Sequence, residues 1–121
     1  MTGSDREREL ARILDEKGYQ IMRAPSSGAA TKRSLPDLLY AKDGTITATE
    51  LKYTGENRAY YSQEEVNALR EFADAFRARV RLVARFKQDT AYHSCRLPNA
   101  ERTPENNYVV HRELDMEAIN P

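Results

Sequence analysis

A chain of 121 residues can bury about two-thirds of its unfolded surface, so we expect one domain that folds without disulfides or a structural metal. The single cysteine, Cys95, cannot form an internal disulfide, and no apolar run reaches the roughly 18 residues of a membrane span or resembles a signal peptide. These features exclude a disulfide scaffold and a transmembrane protein, and they favour a reducing, cytoplasmic setting.

The first third of the chain predicts a helix, a strand and a loop. Ser4 is typical of a helix N-cap, Gly18 suits the left-handed residue that ends a helix, and the apolar residues between them recur at helical spacing. A helix is therefore predicted over residues 4 to 17, followed by a strand over 19 to 24. The sequence PSSGAATKRSL, residues 25 to 35, is typical of a surface loop.

A hairpin is predicted next. Residues 36 to 42 and 45 to 53 have strand-like patterns, and the dipeptide Asp43-Gly44 between them tolerates the positive φ angles of a two-residue turn.

The second half predicts a helix followed by further strands. Ser62, with Glu65 three positions later, forms a capping box that predicts a helix over residues 62 to 78. Strands are predicted at 80 to 86, 91 to 97 and, as a short one, 108 to 111. The order of elements predicts an α/β domain over residues 1 to 121, with a central mixed β-sheet flanked by helices.

The charges balance overall but are unevenly distributed. Residues 1 to 100 hold 17 basic and 14 acidic residues, and the windows 17 to 36 and 75 to 88 contain basic charges only. Charge runs are usually solvated surfaces, yet this distribution allows a polyanionic partner despite a net charge of zero. Residues 98 to 121, in which acidic residues outnumber basic ones, form a C-terminal extension whose role the sequence leaves open.

The predicted hairpin brings like charges together. Counting back from a two-residue turn puts Asp37 directly opposite Glu50, and carboxylates at such positions repel each other. A cation should therefore lie between them. Strand alternation places Lys52 on the same face as both acids, whereas a one-residue slip in the turn would separate Asp37 from Glu50.

Two cations could satisfy these carboxylates. One is Lys52 itself, and the other is a divalent metal such as Mg²⁺, which binds hard oxygen ligands and often uses only one or two protein carboxylates. A metal with a nearby lysine suits phosphodiester hydrolysis, in which the ion activates water and the lysine orients or deprotonates the nucleophile. On spacing alone, ordinary surface charges beside a hairpin are the commoner explanation.

Several segments together resemble a known family. PD, twelve residues and then ELK fit the P-D…(D/E)-x-K pattern of the restriction-endonuclease-like nucleases. With GSDRERELARIL, RAPSSG, YYSQEEVNALREFADAF and RLVARF, the chain resembles the archaeal-type Holliday junction resolvases (Hjc), which include viral and phage relatives. The resemblance covers most of residues 3 to 97 and implies a restriction-endonuclease-like fold.

The resemblance also implies a set of metal-site residues. Asp37 and Glu50 would bind the metal, with the backbone carbonyl of Leu51 as a further ligand. Glu7 would be the acidic residue of the first helix that reaches the site, and Lys52 the catalytic lysine. Glu7 could instead complete a capping box that starts at Ser4.

A second implied set contacts DNA. Ser27 resembles the loop serine near the scissile phosphate, with Ser26 as the adjacent alternative, and Arg23 resembles the basic residue before it. The serines could equally be turn formers. Further candidates for binding phosphates or stacking on bases are Lys32, Arg33, Arg58, Tyr60 and Arg77. Tyr60, like Tyr53 and Tyr61, could also be a core residue.

The sequence thus predicts a Mg²⁺-dependent endonuclease, with Mn²⁺ as an alternative ion, that makes paired nicks in four-way DNA junctions. The resemblance implies a homodimer. The candidate dimer surface is formed by apolar residues in excess of one helix stripe, notably Phe72, together with the sequence YVV at 108 to 110. We expect it in the cytoplasm with the nucleoid, or in the host cytoplasm for a viral chain.

Three alternatives stay open at this stage. The chain could be a related nuclease that cuts flapped, nicked or linear duplexes, a DNA-branch binder without catalytic activity, or a protein-interaction α/β domain. His93, His111 and Cys95 do not have the spacing of a metal cluster, and Cys95 is expected to be a small buried residue.

Overall fold

The computed structural model describes residues 3 to 24, 35 to 113 and 117 to 121. Its helices are α1 (Gly3–Glu16), α2 (Gln63–Phe76) and a short 3₁₀ helix, Leu97–Asn99. Its strands are β1 (Gln20–Arg23), β2 (Leu38–Lys42), β3 (Thr45–Thr54), β4 (Arg58–Tyr61), β5 (Arg79–Phe86), β6 (Tyr92–Arg96), β7 (Glu101–Arg102), β8 (Tyr108–His111) and β9 (Glu117–Ile119). No helix in the described ranges is long and apolar enough to cross a membrane.

Six strands form the larger sheet, in the order β1-β2-β3-β5-β6-β9. Strands β3 and β5 run parallel and the other neighbours antiparallel, which confirms the predicted mixed sheet. One face packs on α1 through a cluster that includes Leu10, Ile13 and Val83, and the other packs on α2 through a cluster that includes Val66 and Leu82.

The hairpin forms with the predicted register. Asp43 and Gly44 have φ angles of 52° and 80°, which a non-glycine residue rarely adopts and glycine adopts readily. Leu38 pairs with Thr49, as the two-residue turn requires.

A second sheet, β4-β8-β7, was not predicted as a unit. The sequence analysis predicts no strand at residues 58 to 61, but they alternate between exposed and buried side chains as strand β4 and pair with β8. The prediction of the YVV sequence as a dimer surface is wrong, because Tyr108, Val109 and Val110 are all buried within this chain. Tyr108 and Val110 belong to the cluster under α2.

The helix boundaries are largely as expected. Gly18, with a φ of 93°, follows α1, and Ser62 and Glu65 form both hydrogen bonds of the capping box at α2. The prediction of Ser4 as an N-cap is wrong, because α1 already includes Gly3. The Ser4 hydroxyl instead lies 3.4 Å from an Arg23 Nη2 donor.

The acidic C-terminal segment contributes to both sheets. Strands β7 and β8 belong to the smaller sheet, and β9 pairs with β6 at the edge of the larger one. Cys95, on β6, is a buried free cysteine, as predicted.

Candidate active site

Asp37 lies immediately before β2 and is fixed to β3 at two points. Its backbone N–H donates to the Thr49 carbonyl over 3.0 Å, and its Oδ2 accepts from the Leu51 N–H at 2.7 Å. The Asp37 carboxylate is therefore held in a defined position beside Leu51 of β3.

Glu50 shares this region with Asp37. Burial and, next, the negative charge of Asp37 raise the pKa of Glu50 from 4.5 to about 8. Burial also raises the pKa of Asp37, although the Leu51 N–H and Lys52 act against that rise. The two carboxylates thus occupy one crowded, partly buried site, as the hairpin register predicts.

Glu7 reaches the same site from α1. Burial and the charge of Asp37 raise the pKa of Glu7, and Arg23 at the end of β1 opposes the rise, with its Nη2 lying 3.9 Å from Glu7 Oε1. The position of Glu7 therefore depends on how α1 is held against the sheet.

A buried network fixes α1 in that position. The Tyr92 hydroxyl on β6 donates to Glu9 Oε1 at 2.5 Å, and Arg6 Nη1 donates to the same oxygen at 2.9 Å. The Arg6 guanidinium also lies 4.8 Å from the centre of the Tyr53 ring, in cation–π geometry. Glu9 and Arg6 thus attach the helix to the sheet while Glu7 faces the acidic site.

Lys52 has a partner that the sequence did not identify. Its Nζ donates to Glu65 Oε2 at 2.6 Å, while Glu65 Oε1 accepts from the Ser62 N–H at 3.0 Å. Burial acts to raise the pKa of Glu65, but these contacts from Lys52 and Ser62 hold it below its usual value. Glu65 therefore caps α2 and orients Lys52 at once.

The backbone of Leu51 offers a further oxygen. In a strand the polar groups of alternate residues point to the same side, so the Leu51 carbonyl points toward β2, as the Thr49 carbonyl does. The Leu51 N–H donates to Asp37 Oδ2 at 2.7 Å, so this peptide unit of β3 lies beside the Asp37 carboxylate.

The remaining candidates lie away from this centre or outside the described residues. Arg58 and Tyr60 project outward from β4, and Tyr60 is 47% exposed, so it is not a core residue. Arg77 caps the far end of α2, about 18 Å from Glu65 at 1.5 Å per residue. Four further candidates fall outside the described ranges: Ser26, Ser27, Lys32 and Arg33.

The donor set is small for a metal site. Within the described ranges, no three histidine, cysteine, aspartate or glutamate side chains converge closely enough to hold an ion by themselves. Asp37 and Glu50 supply two hard carboxylates, and the Leu51 carbonyl a third oxygen. That set fits Mg²⁺, which keeps several waters and binds through one or two carboxylates, better than Zn²⁺, which needs a closed cage.

Comparison with known proteins agrees with the fold and with the motifs. The family model described as archaeal Holliday junction resolvase (Hjc) matches residues 1 to 120. The crossover junction endodeoxyribonuclease Hjc of Sulfolobus acidocaldarius is 33% identical over 118 residues, which cover 97% of this chain and 78% of that protein. The Hjc of Sulfurisphaera tokodaii is 36% identical over 72 residues, which cover 59% of this chain and half of that protein.

A solved structure agrees with this relationship. The structure of Hjc from Archaeoglobus fulgidus, a Holliday junction resolvase, matches with a TM-score of 0.80 and 28% identity, over 90% of this chain and 88% of that one. Such resolvases use divalent metals in general and bind branched DNA. On the family model, the relatives and the shared fold, the chain belongs to the archaeal Holliday junction resolvase family, whose curated members are crossover junction endodeoxyribonucleases.

Proposed function

We propose that this chain, as one nuclease domain, is a Mg²⁺-dependent endonuclease that hydrolyses phosphodiester bonds at four-way DNA junctions by paired nicks. The observation that carries the proposal is the crowding of Asp37 and Glu50, beside Lys52, in a chain of the resolvase family. The names of its relatives support the substrate, and the unbalanced acidic charge supports the metal.

The proposed metal ligands are Asp37, Glu50 and the Leu51 carbonyl, together with Glu7, whose pKa the charge of Asp37 raises. A cation bound there removes the repulsion that raises the pKa of Glu50. Bound Mg²⁺, or Mn²⁺ in its place, would supply Lewis-acid stabilisation of the phosphate and a water of lowered pKa.

Lys52 is the proposed residue that acts on the nucleophile. Its Nζ hydrogen bonds to Glu65 Oε2 and lies close enough to Asp37 and Glu50 to influence both their pKa values. From this position the amine can orient the attacking water or take its proton, and its charge can stabilise the extra negative charge of the transition state. Glu65 is proposed as a positioning residue, which acts through its contact with Lys52.

DNA contacts are proposed on both sides of this centre. Arg23 lies next to Glu7 and can approach the scissile phosphate, as we propose for Ser26 or Ser27. The outward-facing β4 side chains and the far end of α2 offer phosphate and stacking contacts. The proposed members are Lys32, Arg33, Arg58, Tyr60 and Arg77.

A homodimer is proposed because a two-fold enzyme can place two sites on the two like strands of a junction. Phe72 and Phe76 on α2 stack with their ring centres 4.6 Å apart, and Phe76 is 47% exposed. Phe72 is partly buried against the cluster under α2, and an exposed aromatic ring such as Phe76 is typical of an interface. We propose this pair as the dimer surface, and the cytoplasm as the place of action.

Cleavage assays test the activity directly. The wild type should cut a four-way junction in the presence of Mg²⁺ much faster than a linear duplex of the same arm sequence at equal salt. Equal rates on both substrates would exclude a resolvase and indicate a duplex nuclease. Asp37→Asn should abolish cutting while leaving junction binding within a few-fold of wild type, and a variant that still cuts would refute the assignment of the site.

A further inference from the structure

Four arginines line a cleft at one end of the larger sheet, a feature that the catalytic proposal does not use. We call it the arginine cleft: Arg70 from α2, Arg79 and Arg81 from the start of β5, and Arg96 from the end of β6. It has a volume of about 560 Å³, and Val80, Leu97 and Pro98 complete its wall. The cleft can therefore accept a group larger than a water molecule.

Two of these arginines are direct neighbours on antiparallel strands. Arg81 on β5 pairs with Arg96 on β6, so both side chains project from the same face. Like charges placed directly opposite in this way destabilise a sheet. Arg81 is partly buried, so water screens its charge less than that of a fully exposed arginine, and the repulsion from Arg96 is stronger.

Acidic partners do not offset this charge in the described part of the chain. There, none of the four arginines has a carboxylate oxygen within 4.0 Å, and Glu117 is the single acid among the residues that line the cleft. Other arginines of the chain are paired, such as Arg12 with Glu16 at 3.0 Å and Arg112 with Asp89 at 2.9 Å. The cleft therefore carries an excess of positive charge that an anion would neutralise.

The arginine cleft is distinct from the acidic site. Leu82 pairs with Glu50 across β5 and β3 and packs in the cluster under α2, so Glu50 projects from the face that α2 covers. Arg81, one position before Leu82 on β5, projects from the opposite face of the sheet. An anion in the cleft is therefore not the phosphate that the carboxylates address.

We propose that the arginine cleft binds a phosphate group of the DNA backbone, on a stretch of duplex away from the bond that is cut. Guanidinium groups bind phosphate oxygens in a planar, two-pronged geometry, and several arginines around one cleft can follow a backbone without reading bases. The inference rests on the proposed function for the identity of the polyanion. An open cleft with three exposed arginines, Arg70, Arg79 and Arg96, suits a continuous backbone.

Charge-neutral variants with a matched control test this proposal. The double variant Arg81→Gln with Arg96→Gln is compared with Arg12→Gln, which removes an exposed arginine of α1 outside both sites. Binding to a four-way junction is measured in EDTA, where cutting does not occur, at several salt concentrations. The double variant should bind about tenfold more weakly, and its dependence of log K on log salt should be shallower by about one for each lost phosphate contact. Arg12→Gln should stay within about twofold of wild type.

Thermal unfolding separates a binding role from a structural one. Removing the repulsion between Arg81 and Arg96 should leave the Tm unchanged or raise it, while junction binding falls. Inorganic phosphate, added at constant ionic strength against chloride, should raise the Tm of the wild type more than that of the double variant.

Three results would overturn the proposal. The first is an equal loss of affinity in Arg12→Gln, which would show an effect of net charge alone. The second is a lower Tm that accompanies the weaker binding, which would show damage to the fold. The third is stabilisation by inorganic phosphate with junction affinity unchanged, which would show a site for free phosphate. A wild type that binds the junction but does not cut it would refute the proposed activity and leave the cleft in place.

Discussion

The substitution Glu50→Gln should make the metal-free protein more stable at high pH. Glu50 has a pKa near 8 in the folded protein because of burial and the charge of Asp37, against about 4.5 when exposed. Between these two pH values the folded state holds a proton that the unfolded state has lost. The contribution of protonated Glu50 to the free energy of unfolding is therefore fully present below about pH 4.5 and is lost as the pH rises through 8.

The size of this loss follows from the two pKa values. Each pH unit between them is worth about 1.4 kcal/mol, which gives an upper bound of about 5 kcal/mol and, after screening at a partly exposed carboxylate, on the order of 3 kcal/mol. Glutamine keeps the shape of the side chain and carries no charge at any pH. The variant and the wild type should thus have similar free energies of unfolding at pH 4.5, and the variant should exceed the wild type by on the order of 3 kcal/mol at pH 9.

Urea denaturation in EDTA at several pH values measures this difference. Glu56→Gln, in the exposed turn between β3 and β4, is the matched control and should show no such pH dependence. Mg²⁺ should stabilise the wild type more at pH 8.5 than at pH 6, and its binding near neutral pH should release a proton, which calorimetry in buffers of different ionisation enthalpy detects. A difference between Glu50→Gln and wild type that stays constant from pH 5 to pH 9 would refute the view that these carboxylates are crowded together.

Three other substitutions have outcomes set by single contacts. Glu65→Gln should slow cutting because Lys52 loses a charged partner, and it should lower the free energy of unfolding by about 1 kcal/mol because the capping box of α2 weakens. Single-turnover cleavage measures the first effect and urea denaturation the second. An unchanged cleavage rate would contradict the positioning role. Tyr92→Phe should lower the free energy of unfolding, measured by urea denaturation, by about 1 to 3 kcal/mol, because Glu9 loses the hydroxyl that donates to it at 2.5 Å. A loss below about 0.5 kcal/mol would contradict the role of this hydrogen bond in holding α1. Gly44→Ala should cost about 1 to 2 kcal/mol from its φ of 80° alone, since the added Cβ meets no atom within 4 Å, and a thermal shift assay should find a lower Tm with unchanged cleavage at low temperature.

Features coded by neighbouring residues could be predicted from the sequence. The turn dipeptide Asp43-Gly44 fixes the register of the hairpin, and the register in turn brings Asp37 close to Glu50. The start of α2 could be predicted in the same way, because Ser62 carries its own hydrogen-bonding signal. These are local patterns with a direct geometric consequence.

Features that depend on packing between distant segments could not be predicted. Strand β4 could not be predicted, because its four residues are stabilised by pairing with β8, about 50 residues later in the chain. Glu65 was recognised as a capping residue, but its contact with Lys52 arises from how α2 docks on β3. The sequence does show an acid, Glu65, in the first turn of α2 and a lysine, Lys52, on β3, which could pair. It does not show the angle at which α2 packs on the sheet, and that angle decides whether they meet.

The acidic site and the arginine cleft share one physical feature at two positions of the same sheet. At each, neighbouring segments of the sheet bring like charges together, Asp37 with Glu50 and Arg81 with Arg96, where a stability-optimised sequence would place apolar or opposite charges. Local rules of this kind are most often broken where a ligand supplies the missing charge. Neutralising either pair should therefore stabilise the free protein and weaken its interaction with DNA or metal. The opposite result, a less stable protein that binds and cuts normally, would show that both pairs serve the fold alone.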